Sequence, residues 1–244
     1  MQERVASCCR QCWDSLPRIR SAKCRSCALP LPVVSSQLSV TSRPGDTSQT
    51  TDNGEPTTQP PTANCQPPTT ICLSCVRNPL PLDWCDAWGE YEGGLARLLH
   101  ALKFERHDFL DDALASLLEE TLRARGDLAF DAIVGVPMSR SRERRRGYNQ
   151  AELLGRALSL RIGVRCDMTL LARRGERATQ STLPKRARAA NVKGLFAASA
   201  AVKGQSILLI DDICTTGETL RACAGALASA GAARVCALAV ARRS

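Results

Sequence analysis

The chain has 244 residues, of which 44% are hydrophobic and 4% aromatic, which suffices for one large domain or for one domain with a small module. Its formal net charge of +9 favours an anionic partner such as a phosphate, a nucleotide, a nucleic acid or an acidic lipid, although a basic protein without such a partner would have the same charge. No stretch of about 18 apolar residues occurs, so the sequence predicts no membrane-spanning helix.

Cysteines are concentrated near the beginning of the chain, where nine of the thirteen precede residue 86. The first residues, MQERVASCCRQC, lack the apolar stretch of a signal peptide, so we expect a cytoplasmic protein whose thiols stay reduced. Metal binding then explains the cysteines better than disulfides do. Three CxxC pairs are present: Cys9 with Cys12, Cys24 with Cys27, and Cys72 with Cys75.

Two CxxC pairs can supply the four thiolates of one tetrahedral zinc ion. We assign a structural Zn²⁺ to the second and third pairs, Cys24, Cys27, Cys72 and Cys75. Between these pairs lie residues 33–70, of which 20 of 38 are Ser, Thr or Pro. Such a segment cannot bury enough apolar surface to offset its ordering entropy. We therefore predict a disordered insertion at 33–70, inside a zinc module that spans residues 1–87.

Periodic apolar patterns begin near Trp88, and we assign residues 88–244 to a second domain. The predicted helices cover 93–104, 108–126, 149–163, where Asn149 is the N-cap, and 219–231. The predicted strands cover 131–137, 169–174, 194–199, 206–210 and 234–241. Strands that alternate with helices favour a mostly parallel sheet covered on both faces, which is an α/β fold.

The segment ILLIDDICTTGET, residues 207–219, carries the most specific chemistry of the chain. A helix N-terminus, a glycine and several hydroxyls follow its strand, and together they form a cradle for a phosphate monoester. Asp211 and Asp212 would repel a lone phosphate, but they can accept hydrogen bonds from the vicinal hydroxyls of a ribose 5-phosphate, with a divalent cation nearby. The alternative is that the two aspartates merely cap a turn between strand and helix.

Two basic segments precede this motif in the chain. Residues 134–154 contain five arginines between Arg140 and Arg146, and residues 173–196 contain seven Lys or Arg. Both are predicted to be loops that follow short strands, where they could hold a pyrophosphate and close over the site. They could also be solvated charge runs or a nucleic-acid patch, although single-strand binding usually adds more aromatic residues than Tyr148 and Phe196.

The 207–219 motif resembles the PRPP-binding signature of type I phosphoribosyltransferases. The wider pattern is similar to the ComF family, whose members are linked to competence and DNA uptake. The residues that carry this resemblance are His100, Lys103, Phe104, Val136, Pro137, Arg142, Arg144, Arg146, Gly147, Tyr148, Asn149, Gln150, Gln180, Leu183, Arg188, Asn191 and Phe196. The family often has a histidine where this chain has Ser139.

The resemblance implies a type I phosphoribosyltransferase fold behind a zinc ribbon, and it implies roles for individual residues. Asp211 and Asp212 would be catalytic and would hold the ribose hydroxyls. The 5′-phosphate and pyrophosphate contacts would be Ile213, Cys214, Thr215, Thr216, Gly217, Glu218, Thr219, Val136, Pro137, Met138, Arg142, Arg146 and Lys103, the last of which could equally be a surface lysine. Residues 178–191 would form the flexible catalytic loop, with Gln180, Lys185 and Arg188.

The cysteine pairs resemble the double zinc ribbon found before ComF-type domains. Cys24, Cys27, Cys72 and Cys75 match its second half, and Cys9 with Cys12 matches one pair of its first half. The partner of that first pair would lie upstream of residue 1. We therefore expect either a degenerate first zinc site or a true start further upstream.

The function implied by the resemblance is binding of PRPP or a nucleoside 5′-monophosphate with Mg²⁺, followed by phosphoribosyl transfer to or from a base. Two other interpretations stay open on the sequence alone. One is a non-catalytic adaptor that binds single-stranded DNA together with DNA-uptake proteins. The other is a regulator that senses PRPP or a nucleotide without turnover.

Overall fold

The computed structural model describes residues 10–19, 23–24, 28, 72–77, 79–105, 109–174 and 194–243. The predicted insertion at 33–70 and the predicted flexible loop with Gln180, Lys185 and Arg188 lie outside these residues, as do Cys9 and Cys27. None of the described helices has the length and apolar character that crossing a membrane requires.

Helices and strands are interspersed along the described chain, and two helices follow each of β1 and β2. The helices are α1 (Arg10–Asp14), α2 (Leu73–Arg77), α3 (Gly93–Phe104), α4 (Leu110–Arg125), α5 (Arg140–Arg146), α6 (Gln150–Ile162) and α7 (Glu218–Ser229), with short 3-10 turns at Met168–Leu170 and Ala200–Val202. The strands are β1 (Trp84–Glu90), β2 (Ala132–Gly135), β3 (Leu171–Arg173), β4 (Phe196–Ala198), β5 (Ser206–Cys214) and β6 (Arg234–Arg242).

Four strands form a parallel sheet in the order β1-β6-β5-β2, while β3 and β4 form a separate antiparallel pair. The prediction of an α/β fold with a mostly parallel sheet is therefore confirmed. Because the strands are parallel, their carboxyl ends meet at one edge of the sheet, and the loops that follow β2 and β5 become neighbours there. This edge is called the carboxyl edge below.

Side chains of the central strand β5 alternate between two apolar layers from Ile207 to Ile210, as the pleat requires. In β5, Leu208 and Ile210 pack with α3, α4 and α6 on one face of the sheet. Ile207 and Leu209 pack with α7 and with the β3–β4 pair on the other face. Both faces are thus covered by other elements, which explains why these strands read as continuous apolar runs.

Three elements differ from the sequence predictions. β1 begins at Trp84 and crosses the predicted domain boundary at 87/88, so the sheet includes residues that the prediction placed in the zinc module. β5 continues through both aspartates to Cys214, because β6 pairs with it as far as Arg242. The segment Arg140–Arg146 is a short helix and not a loop, since Arg and Glu are good helix formers and Gly147, with φ of 87°, ends the helix.

Candidate functional site

Asp211 and Asp212 lie within the last residues of β5, at the carboxyl edge. Asp212 is 5% exposed, and its Oδ2 forms an ion pair with Nζ of Lys103, which comes from the last turn of α3. Gln150, the first residue of α6, places its Nε2 3.5 Å from Asp212 Oδ1. The buried carboxylate is therefore compensated by a cation from a different layer of the fold.

Asp211 differs from its neighbour in its electrostatic surroundings. Burial, followed by the negative charge of Asp212, raises the pKa of Asp211 well above the ordinary value of an aspartate. Its Oδ1 accepts a hydrogen bond from the Asp212 backbone N–H at 2.9 Å. The Asp211 carboxyl therefore keeps its proton to a higher pH than an exposed aspartate does, and the pair carries less negative charge than two independent carboxylates.

A chain of polar contacts extends from this pair to the arginine-rich helix. Nη1 of Arg146, at the end of α5, donates to Oε1 of Gln150. The guanidinium of Arg146 also lies over the ring of Phe104, 5.2 Å from its centroid. Since Gln150 also reaches Asp212, three helices contribute side chains to one network at the carboxyl edge.

The loop between β2 and α5 is fixed beside β5 by backbone contacts. The Val136 N–H donates to the Ile210 carbonyl oxygen at 2.8 Å, and Nδ2 of Asn149 donates to the Val136 carbonyl oxygen at 3.1 Å. Oδ1 of Asn149 also accepts from Ala151 N, which confirms Asn149 as the N-cap of α6. The close approach of β2 to α6 requires a glycine, because a Cβ on Gly135 would lie 2.7 Å from backbone atoms of Ala151.

The turn between β5 and α7 is open to solvent. Thr215 and Thr216 are exposed, and Gly217 has φ of 75°, a backbone conformation that strongly favours glycine. The N-cap of α7 is Gly217, which as a glycine has no side chain to cap the helix, and a helix N-terminus of this kind is a favourable place for an anionic ligand.

The predicted zinc ligands that the structure describes form a compact group. The Sγ atoms of Cys24, Cys72 and Cys75 lie within 4.8 Å of one another, and all three residues are buried. Thiolates around a tetrahedral zinc stand about 3.8 Å apart, given Zn–S bonds of about 2.3 Å, so the cluster fits this metal. Cys12 is exposed, at α1, and is not part of this cluster.

Most of the predicted ligand contacts converge on the carboxyl edge. The residues gathered there are Lys103, Val136, Pro137, Met138, Arg146, Asp211, Asp212, Ile213, Cys214, Thr215, Thr216, Gly217, Glu218 and Thr219. Arg142 is exposed on α5. Sequence reasoning placed Gln150 in the family motif but did not assign it to the site; the available signal was its position directly after the N-cap of α6.

A comparison with family models matches residues 105–244 to the phosphoribosyl transferase domain. The chain belongs to the phosphoribosyltransferase family. An Escherichia coli relative, "DNA utilization protein YhgH" of strain O6:H1, is 36% identical over 168 residues, which are 67% of this chain and 74% of that protein. "Competence protein F" of Haemophilus influenzae is 30% identical over 156 residues, which are 61% of this chain and 68% of that protein.

These relatives assign this phosphoribosyltransferase-family chain to the ComF group, as the sequence motifs predicted. Two solved phosphoribosyltransferase-type structures are also similar. The adenine phosphoribosyltransferase of Saccharomyces cerevisiae is 19% identical with a TM-score of 0.39, over 58% of this chain and 72% of that one. The glutamine PRPP amidotransferase of B. subtilis is 17% identical with a TM-score of 0.41, over 58% of this chain and 30% of that one.

Proposed function

We propose that this ComF-family protein binds PRPP or a nucleoside 5′-monophosphate with Mg²⁺ at the carboxyl edge of its sheet, and that it transfers the phosphoribosyl group to or from a base. One observation supports this proposal above the others. The paired aspartates, the open turn before α7 and the loop after β2 all meet at the same edge, which gives separate places for a ribose, a phosphate and a pyrophosphate.

The 5′-phosphate is assigned to the turn of Thr215–Gly217. Exposed hydroxyls and the N-terminus of α7 supply donors, and the dipole of this 12-residue helix favours a negative charge. Two carboxylates nearby would ordinarily oppose such a ligand. Here Lys103 neutralises Asp212, and the raised pKa of Asp211 reduces the remaining charge.

The ribose is assigned to Asp211 and Asp212, whose oxygens accept hydrogen bonds from vicinal hydroxyls. In transfer from PRPP, the bond between C1 of the ribose and the pyrophosphate oxygen breaks, and the acceptor nitrogen of the base forms the new bond at C1. Once Lys103 has exchanged its ion pair with Asp212 for the ligand phosphates, the Asp212 carboxylate is left to stabilise the positive charge that develops at C1. The oxygen-rich site fits Mg²⁺, which when bound supplies positive charge to the leaving pyrophosphate.

The pyrophosphate is assigned to the backbone of Val136–Met138 and to Arg146. Arg146 already contacts Gln150, so a ligand here would be linked to the Asp212 network. Lys103 is assigned a contact with the ligand phosphates, for which it would exchange its ion pair with Asp212. The buried cysteines are assigned to a structural Zn²⁺.

The test is titration calorimetry of PRPP with Mg²⁺ against the double variant Asp211→Asn/Asp212→Asn. We expect this variant to lose detectable binding. A matched control is Asp111→Asn/Asp112→Asn, which alters another adjacent aspartate pair, in the first turn of α4. Unchanged affinity in the first double variant would overturn the ribose assignment. Pyrophosphate release from PRPP across a panel of bases then tests turnover, and binding without release would favour a nucleotide-sensing regulator.

A second candidate function is single-stranded DNA binding in DNA uptake, alongside other uptake proteins. It is favoured by a set of exposed arginines on α5, namely Arg140, Arg142, Arg144 and Arg145. Phe104 beside this helix is 64% exposed and could stack on a base. This function predicts DNA affinity that falls steeply with salt and survives loss of both aspartates. The competence and DNA-utilization names of the relatives are consistent with either candidate.

A further inference from the structure

The chain just before β1 lies between the cysteine cluster and the turn that precedes α7. Leu80 is buried here, and it packs with the three buried cysteines Cys24, Cys72 and Cys75. The two methyl groups of the same side chain lie 3.5 and 3.6 Å from the position that a Cβ of Gly217 would occupy. One side chain therefore contacts both the predicted zinc ligands and the N-cap of α7.

Gly217 is the residue of the turn on which this contact acts. Thr215 and Thr216 are exposed, whereas Gly217 is buried. Apart from its neighbours in the chain, the only described atoms within 4 Å of the Cβ position at Gly217 belong to Leu80. Glycine loses more conformational freedom on ordering than any other residue, so without this packing a bound ligand would have to order the turn. Leu80 orders the turn in advance, which favours ligand binding.

The backbone around Leu80 has little freedom to absorb a displacement of the cluster. Pro79 and Pro81 flank Leu80 in the sequence. Each proline fixes its own φ, and Pro81 also restricts Leu80 to extended conformations. The Pro79 carbonyl oxygen accepts a hydrogen bond from Nη1 of Arg221, which belongs to α7. A change in the cysteine cluster is therefore transmitted through Leu80 to the start of α7.

The packing surface of Leu80 depends on the state of the cysteines. Their Sγ atoms lie within 4.8 Å of one another, a spacing that fits a bound Zn²⁺. The binding free energy of a structural metal is also folding free energy, because the unfolded chain holds no preformed site. Without the metal, the cysteines lose the interaction that holds them together, and the position of Leu80 is no longer fixed from their side.

We propose that the cysteine cluster regulates the ligand site. Zn²⁺ at the cluster and a phosphoribosyl ligand at the carboxyl edge bind with positive coupling, and Leu80 is the residue that connects them. The inference rests on the proposed function, and it gives a regulatory role to a metal assigned so far to structure alone. Because coupling between two binding sites is reciprocal, the ligand also raises the affinity of the cluster for zinc.

The first measurement is titration calorimetry of PRPP with Mg²⁺ against zinc-loaded and zinc-depleted wild type. The depleting chelator is removed beforehand, and circular dichroism records whether the depleted protein stays folded. We expect depletion to weaken PRPP binding by about fivefold to a hundredfold, and added zinc to restore it. Zinc-loaded Leu80→Ala, which keeps all the cysteines, should bind PRPP about as weakly as the depleted wild type. The matched control is Val76→Ala, which removes a 62% exposed side chain from α2 and should bind as the wild type does.

The second measurement is the equilibrium distribution of zinc between the protein and a zinc-selective chelator, with and without PRPP and Mg²⁺. PRPP should raise the fraction of zinc that the wild type and Val76→Ala retain. It should leave that fraction unchanged in Leu80→Ala, where the connection is broken. The double variant Asp211→Asn/Asp212→Asn should also show no effect, which controls for direct binding of zinc by PRPP.

Equal PRPP affinity in the folded zinc-loaded and zinc-depleted wild type would overturn the inference, as would a zinc distribution that PRPP does not change or a wild type that binds no zinc. If the depleted protein unfolds, zinc-loaded Leu80→Ala decides, and wild-type affinity for PRPP in that variant would overturn the inference. Leu80→Val, a smaller truncation, takes its place if Leu80→Ala does not fold. Failure of the zinc-loaded wild type to bind PRPP would instead overturn the proposed function on which the inference rests.

Discussion

The contact between β2 and α6 gives a sharp test of how the candidate site is supported. Replacing Gly135 with alanine would place a Cβ 2.7 Å from the carbonyl carbon and oxygen of Ala151 and from N of Glu152. Each distance is about 0.7 Å shorter than the 3.4 Å at which ordinary contact begins, and all three atoms belong to the backbone, which cannot rotate away. We expect a loss of about 3 kcal/mol in the free energy of unfolding, at the upper end of overpacking costs.

For a chain of this size, that loss corresponds to a melting temperature lower by about 6–12 °C. The matched control is Gly225→Ala in the middle of α7, where an added Cβ meets no atom within 4 Å. There alanine should raise stability by about 0.5–1 kcal/mol, because glycine is a poor helix former. Differential scanning calorimetry measures both. If Gly135→Ala has the same melting temperature as the wild type, the tight packing of β2 on α6 is not what fixes the loop after β2.

Two further predictions concern charge and metal. The melting temperature of Asp211→Asn should rise relative to that of the wild type as the pH increases above about 4. The reason is that the raised pKa of Asp211 makes its ionisation destabilise the folded wild type. Melting curves recorded across pH measure this difference, and a difference that does not change with pH would contradict the prediction. Cys75→Ser should lose the zinc that we expect in the wild type, whereas the control Cys166→Ala should retain it. Metal analysis of the purified proteins measures both. Equal zinc contents in the two variants would show that Cys75 is not a zinc ligand.

Local signals in the sequence predicted much of this fold. The N-cap at Asn149 and the glycine after α4 are properties of short segments, and both ends form where expected. The apolar run of β5 is also a property of a short segment, and it correctly predicted a buried strand inside the sheet. Its extent was underestimated, because adjacent charges usually end a strand, whereas the ladder with β6 carries it to Cys214.

The features that sequence reasoning missed depend on contacts between distant residues. β1 contains Asp86, which interrupts its apolar pattern, and the structure compensates this acid with Lys23 and Arg125 from elsewhere in the chain. In the sequence, nothing distinguishes Arg242 from the exposed arginines of this basic chain. Its burial results from the neighbouring strands of the sheet, and no local pattern indicates that.

Leu80 links the cysteine cluster to the rest of the molecule. It packs with the three buried cysteines, and its methyl groups lie 3.5 and 3.6 Å from the position that a Cβ of Gly217 would occupy. The carbonyl oxygen of Pro79 accepts a hydrogen bond from Arg221 of α7. A shortened protein that began at residue 88 would therefore lose one wall of the turn before α7 as well as half of an edge strand. We therefore expect residues 88–244 not to fold into an intact site without the segment before them. A protein that kept only residues 88–244 would need another apolar side chain in the place of Leu80.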